Sequence, residues 1–269
     1  MKKKILCITM IMLMAFGVFA LTGCGGSDNS SDTEKLVIGL DDTFAPMGFR
    51  DEKGNLVGFD IDLANAVGEE LGMEVEFKPI DWNAKETELE AGTIDCVWNG
   101  MSITPERQEK MALSNKYLNN KIVLMTLADS DTDVTDAAQL ADLKIGTQVD
   151  SSALEMLKAN EAYDSFKDNI SEYDTYDTAI MDLKAGRGNV IAVDQVLGEY
   201  TNKNLGGEMK ECTYSLGDDY YVIGFAKDNT ELRDKVNDAI KALVDNGTAA
   251  DISNDWFGKN IVVFEPLED

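Results

Sequence analysis

The chain has 269 residues, enough for one large or two modest domains around a substantial core. Its 50 acidic residues against 24 basic ones argue against nucleic-acid binding, which needs basic surface to neutralise phosphates, and suit a monomer kept apart by self-repulsion. With no histidine present, Ser-His-Asp triads, Cys-His pairs and histidine metal sites are excluded.

The amino terminus reads as an export signal. Lys2, Lys3 and Lys4 precede an apolar run from Ile5 to Leu21, which closes on Leu21-Thr22-Gly23-Cys24. That tetrapeptide resembles the lipobox of bacterial lipoproteins, which implies a signal peptide over residues 1–23 and a lipid on Cys24. An uncleaved membrane helix is the competing reading, because the run sits near the lower length limit. Small residues and a cysteine at the processing position favour the lipoprotein. Residues 24–34, rich in Gly, Ser and Asp, then read as a flexible tether. Cys7 leaves with the signal, while Cys96 and Cys212 fall in extended stretches and are expected as buried free thiols rather than a pair.

Lys35–Leu40 alternates as a strand ending at Asp41, with Phe44 just beyond. Gly58 opens a helix whose apolar positions Ile61, Ala64, Val67 and Leu71 recur at helical spacing, and Gly72 stops it. A strand over 73–79 and a helix over 83–91 follow. Ile94-Asp95-Cys96-Val97 reads as a buried strand entering an open turn at Trp98-Asn99-Gly100-Met101-Ser102. Thr104 and Pro105 then match an N-cap and a first helical position, with Arg107 one turn in. Together these make a candidate anion clamp. Gly100 lets a ligand approach the backbone, Ser102 offers a hydroxyl, and Arg107 presents a planar fork to a carboxylate. The plainer alternative is a surface Arg107 paired with Glu106 or Glu109, with Ser102 and Thr104 only capping.

A second unit repeats the pattern. It holds a strand over 121–127, an acidic solvated linker over 129–136 and a strand over 143–147 ending in Gln148-Val149-Asp150-Ser151-Ser152. Helices through Leu154 and Leu157 and over 175–185 follow, then a buried strand over 189–193 that finishes at Asp194. A strand over 220–226 and helices over 231–244 and 249–257 complete the chain. Such alternation predicts a mostly parallel sheet, with ligands at the carboxyl ends of its strands. Those ends hold Asp41, Phe44 and the clamp in one unit, and Ser151, Ser152 and Asp194 in the other. A zwitterion between them meets Arg107 with its carboxylate and Asp194 with its ammonium. Helix capping is the alternative for Asp194, and plain core the alternative for Phe44 and Trp82. Trp98 is expected in packing, and Asp42 and Glu86 as surface charge.

Gly58-Phe59-Asp60-Ile61-Asp62-Leu63, followed by Val67, Gly68 and Leu71, resembles the signature helix of bacterial periplasmic-type solute-binding proteins that serve ABC importers of polar amino acids. Ser102-Ile103-Thr104 with Arg107 extends the likeness, which runs from about Lys35 to Phe257. It implies a two-lobed α/β fold, with lobe 1 over 35–119 plus 222–269 and lobe 2 over 120–221. Two hinge crossings, near 118–121 and 218–221, join the lobes, which close on the ligand. By position, the resemblance implies that Arg107 grips the ligand carboxylate with Ser102 and the backbone of Ser152. Asp194 takes the α-ammonium with Ser102 and the Gly100 carbonyl. Phe44 and Trp82 line the side-chain slot, Asp41 lies at its far end, and Asn99, Gln148 and Ser151 complete the ligand set. Asn99 and Gly100 stand where some relatives carry small hydroxyl residues, and Ala153 where some carry a polar one, so the departures bear on side-chain choice.

An aromatic pair around a flat cation, with Asp41 beside it, suits arginine and then lysine. Cystine, glutamine and histidine are the alternatives. The expected protein is a lipid-anchored binder on the outer face of the cell membrane, not an enzyme, that hands an amino acid to an ABC permease. No cofactor and no metal is expected. One rival is a dehydratase-type enzyme on the same fold, with Asp41, Asp194 or Glu86 as acid or base. Another is a signalling receptor domain, which needs a further membrane segment or output domain after Phe257.

Overall fold

Strands alternate with helices from Lys35 onward, and each junction carries the local chemistry that ends one element and begins the next. The computed structural model describes residues 34–267, so the signal, Cys24 and the tether up to residue 33 lie outside the described residues. Strand β1 (Lys35–Leu40) leads into a small antiparallel sheet of β2 (Thr43–Phe44), β3 (Gly48–Arg50) and β4 (Leu56–Val57). Then come α1 (Phe59–Leu71), β5 (Glu74–Pro79), a tight turn at Trp82–Ala84, α2 (Lys85–Glu90), β6 (Cys96–Ser102), α3 (Pro105–Lys110) and β7 (Met111–Leu113). The long β8 (Lys116–Leu127) crosses to the second half. That half holds β9 (Ile145–Gln148), α4 (Ser152–Lys158), α5 (Tyr163–Phe166), β10 (Ile170–Tyr173), α6 (Tyr176–Lys184), β11 (Val190–Asp194) and α7 (Gln195–Asn204). The longer β12 (Met209–Ala226) returns to the first half, followed by α8 (Thr230–Asp245), α9 (Thr248–Phe257) and β13 (Val262–Glu265).

The main sheet runs β10-β9-β11-β8-β12-β6-β1-β5, with β13 added on β8 and β7 on β12. Its wings are parallel, as expected. Its middle is not: β11–β8, β8–β12 and β12–β6 all pair antiparallel. A chain that crosses between two halves and returns runs in opposite senses on the two passes, so the crossings pair as antiparallel neighbours. The molecule is thus two α/β lobes joined by two strands that are themselves hydrogen-bonded to each other.

Helix α1 buries Phe59, Ile61, Leu63, Ala64 and Val67 on one face and ends on Gly72, which is left-handed at φ 69°. Gly58, at φ 146°, precedes it, and a side chain there collides with the Met47 carbonyl. Trp98 is buried edge-on to Tyr117 with ring centroids 6.1 Å apart, which is the packing role expected of it. Cys96 and Cys212 are buried free thiols. The acidic stretch over 129–136 is more than a solvated linker. Val134 is buried in the second lobe's core, and Asp133 accepts from the Thr213 backbone N–H at 2.8 Å. Among the described residues no helix is long and apolar enough to cross a membrane.

Candidate ligand site

Strand register assembles the site at the middle of the sheet. Asp219 stands opposite Asn120 where β12 pairs β8, Tyr221 opposite Ser102 where β12 pairs β6, and Asp194 opposite Ile122 where β11 pairs β8. All eleven candidate ligand residues, from Asp41 to Asp194, line one cavity, and Tyr176 joins them. Its own side chains nearly fill it.

The basic side is built on the cap foreseen in the sequence. Thr104 Oγ1 accepts the Arg107 backbone N–H at 3.2 Å, and Pro105 opens α3. Arg107 is only 4% exposed, so it is no surface partner of Glu106, which pairs instead with Lys110. Its Nη1 donates to Ser102 O and its Nη2 to Asp150 O, both at 2.9 Å. Those contacts leave further N–H donors of the fork for an anion.

Asp150 collects contacts from the other lobe. Trp82 Nε1 donates to its carbonyl at 3.2 Å, and the fully buried Lys85 ammonium pairs with its carboxylate. The Trp82 ring lies 5.7 Å from the Arg107 guanidinium carbon and 5.1 Å from Lys85 Nζ. Burial, then the nearby Arg107 charge, pulls the Lys85 pKa down, while Asp150 opposes the shift. Asp150 itself is a non-glycine residue at φ 55°, backbone strain of the kind that accumulates at ligand clamps.

The acidic side is carried by the crossings. Asp194 begins α7 but makes no capping bond, so the capping alternative fails. Its Oδ1 instead accepts from Asn120 Nδ2 at 2.7 Å and from Tyr221 OH at 2.9 Å. Asp219 Oδ2 accepts from Asn120 Nδ2 at 2.7 Å and from Ser102 Oγ at 2.6 Å. Burial, and then the charge of Asp219, pushes Asp194 up to about 7. Burial pushes Asp219 up to about 6.

The remaining walls form the slot between the lobes. Asp41 Oδ1 accepts from the Thr43 backbone N–H at 3.0 Å and its hydroxyl at 2.7 Å, and Oδ2 accepts from Gln148 Nε2 at 2.8 Å. Asn99 Nδ2 donates to Asp41 O at 2.5 Å and so positions that residue. Ser151 Oγ donates to Gln148 O at 2.8 Å and accepts the Leu154 N–H at 3.1 Å, capping α4. Ser152 Oγ lies 2.9 Å from Ser102 Oγ across the lobes. Phe44 packs on Tyr176 with centroids 5.9 Å apart, and the buried Tyr176 hydroxyl has no partner among the described residues.

The stretch Trp98–Ser102 is strand rather than open turn. Extra residues on β6 between Val97 and Met101, opposite Gly224 and Val222, make a bulge around Gly100, which sits at φ 58°. Glycine is required there twice over, since an added Cβ falls 2.8 Å from Phe44 Cε1. Its N–H donates to Asp60 Oδ2 at 2.7 Å, and Tyr117 OH donates to the same oxygen at 3.0 Å.

Sequence reasoning missed Asn120, Asp219, Tyr176, Lys85 and Asp150. Only Asp219 and Asn120 carried a usable signal, since both fall inside the expected hinge crossings.

Residues 36–259 match the bacterial extracellular solute-binding proteins, family 3. The arginine-binding extracellular protein ArtP of Bacillus subtilis is 29% identical over 265 residues, covering 96% of this chain and 98% of that protein. The L-cystine-binding protein TcyJ of Escherichia coli is 27% identical over 227 residues, 84% of each chain. A crystal structure of an ABC uptake transporter substrate-binding protein from Streptococcus pneumoniae with bound histidine is similar at a TM-score of 0.81 and 37% identity, over 85% of this chain and 94% of that one. With the family matched over most of its length, this chain belongs to the bacterial extracellular solute-binding proteins of family 3.

Proposed function

We propose that this protein is the substrate-binding component of an ABC importer and captures a polar amino acid with a basic side chain, arginine first. The reading rests on one observation above all. One small cavity is lined by a buried arginine, Arg107, and by two buried carboxylates, Asp194 and Asp41. Arg107 grips the ligand carboxylate, Asp194 receives the α-ammonium, and Asp41 with Phe44 and Tyr176 receives a cationic side chain. Kinship with an arginine-binding relative supports that choice, while cystine and histidine, named for other relatives, are the nearest rivals.

Capture occurs with the lobes apart, lobe 1 being residues 35–119 plus 222–269 and lobe 2 residues 120–221. Closure brings Asp150 onto Trp82, Lys85 and Arg107, and the closed form engages the permease. A lipid on Cys24 keeps this monomeric protein at the outer face of the membrane. An enzymatic role is disfavoured, because Glu86 does not line the cavity and pairs with Lys85 at 3.3 Å.

Calorimetry of the purified full chain, unfolded and refolded to strip bound amino acid, tests the reading. Tight arginine binding that disappears in Arg107→Ala and Asp194→Ala is expected. Tight binding of cystine, glutamine or histidine instead keeps the transport role and removes the assignment of Asp41. Binding of no amino acid overturns the proposal and turns attention to turnover of candidate acids.

A further inference from the structure

Two buried acids lie side by side in the site with no protein cation between them. One nitrogen, Asn120 Nδ2, donates to Asp194 Oδ1 and to Asp219 Oδ2, each at 2.7 Å. The amide is held in that orientation, since its Oδ1 accepts the Val196 N–H at 3.4 Å. The other partners are the Tyr221 and Ser102 hydroxyls, so every hydrogen-bond donor to the pair among the described residues is neutral. Lys121, beside Asn120 on β8, is directed elsewhere and pairs with Asp218 at 3.4 Å.

The charged and titratable groups that face the pair come from several elements. Arg107 of α3 contributes a positive field at Asp219, but its Nη1 and Nη2 donate to backbone carbonyls. Tyr221 of β12 and Tyr176 of α6 face Asp194, and Tyr117 of β8 backs Tyr221, with Asp60 beyond it. Burial, reinforced by these acids, pushes all three phenols upward, so none supplies charge.

Two carboxylates bonded to one nitrogen repel each other strongly, and a proton retained by the pair relieves that repulsion. We infer that Asp194 and Asp219 act as one acid pair that holds a proton in the ligand-free protein and releases it to solvent when a ligand ammonium takes its place. Charge balances in the exchange, one proton leaving as one ammonium arrives, and no covalent bond of the ligand changes. The inference builds on the proposed capture of an amino acid. It gives Asp219 a role as a positioning residue, holding Ser102 and Asn120 while sharing the proton of Asp194. Burial lifts both acids towards neutrality, so the exchange operates near physiological pH. Affinity for an ammonium ligand therefore falls by up to about tenfold per pH unit as pH drops below about 6, and is flat above about 8.

Full-chain protein, stripped as above, is titrated calorimetrically with arginine near pH 6 and pH 8 in buffers of different ionisation enthalpy. Release of about one proton at the lower pH and almost none at the higher is expected. Asp219→Asn should release less than about half as much proton per arginine bound at the lower pH. No release by wild type, or unchanged release by Asp219→Asn, overturns the pair. A ligand-free readout separates this from the binding reading, namely carboxyl carbon shifts in protein labelled at aspartate. Two coupled titrations near neutrality should collapse in Asp219→Asn, while Asp60 titrates independently. If all pair carboxyls titrate below about pH 5, the shared proton does not exist. If the coupled titration is present and no amino acid binds, the pair stands, and the proposed ligand and its proton exchange fail.

Discussion

Arg107 and Asp194 flank the same cavity with opposite charges, but the protein serves them differently. Arg107 donates to two backbone carbonyls, that of Ser102 in its own lobe and that of Asp150 across the closed cleft. Among the described residues, Asp194 shares its one amide donor with a second acid and otherwise meets a phenol. Backbone carbonyls hold the guanidinium and leave it donors for one anion, whereas the acidic side sets two carboxylates together with neutral donors alone. The ligand ammonium should accordingly be demanded more strictly than the ligand carboxylate.

Paired truncations break that comparison most directly. Asp194→Ala is expected to weaken arginine binding by about 1,000-fold or more, within the ~2–5 kcal/mol lost when one partner of a buried charge pair is removed. Arg107→Ala should cost less, about 100-fold, because the Ser102 and Ser152 hydroxyls remain in the cavity. Calorimetry of both variants decides, and a larger loss for Arg107 inverts the comparison.

Stability against pH sharpens it without a ligand. Burial lifts Asp60 to about 7, so between about 4 and 7 the folded chain keeps a proton that the unfolded chain has lost. Asp194 and Asp219 behave alike in the same window. A folded state that binds more protons loses stability as pH rises. Urea unfolding of stripped protein should show stability about 2–4 kcal/mol lower at pH 8 than at pH 4.5, with a shallower slope in Asp60→Asn. Arginine should offset the fall at high pH, since an ammonium favours the ionised pair. Stability that rises through this window contradicts the assigned shifts.

The contact between the lobes yields a smaller effect. Asp150→Ala removes the acceptor of buried Lys85 and should speed arginine release by about tenfold in stopped-flow measurements, about 1.4 kcal/mol. Lys85→Met in that background should recover part of the loss, because it removes the stranded charge. If Asp150→Ala leaves the release rate unchanged, the ion pair is no latch.

Legibility in the sequence divides along the same line. The Thr104-Pro105 cap, the helix from Gly58 to Gly72 and the strand ends at Asp41 and Asp194 are local events, set within a few residues, and they brought Arg107, Asp41 and Asp194 into view. Asp219 sits in Asp218-Asp219-Tyr220-Tyr221, inside an expected crossing, but which of these residues faces the site emerges only when β12 is laid against β8. Asn120 meets a partner 99 residues away, and Lys85 one 65 residues away. Such contacts exist only in the tertiary register. The antiparallel middle of the sheet escaped for a related reason, since alternating elements describe the wings and say nothing of how two crossings run past each other.

Tyr176 offers the finest test of where recognition of the side chain begins. It opens α6 beside the Thr175 cap, its ring packs on Phe44, and it is 2% exposed. A buried hydroxyl without a partner is costly, by about 1–3 kcal/mol, unless something in the cavity bonds to it. Tyr176→Phe removes that cost in the ligand-free protein and removes a bond in the complex. The unfolding midpoint of stripped protein should therefore stay level or rise slightly, while arginine affinity falls by about three- to tenfold. The ring–ring contact with Phe44 is retained, so lost packing cannot account for the split. Equal affinity in Tyr176→Phe and wild type would leave the slot defined by Phe44, Trp82 and Asp41, and the hydroxyl a tolerated defect of the core.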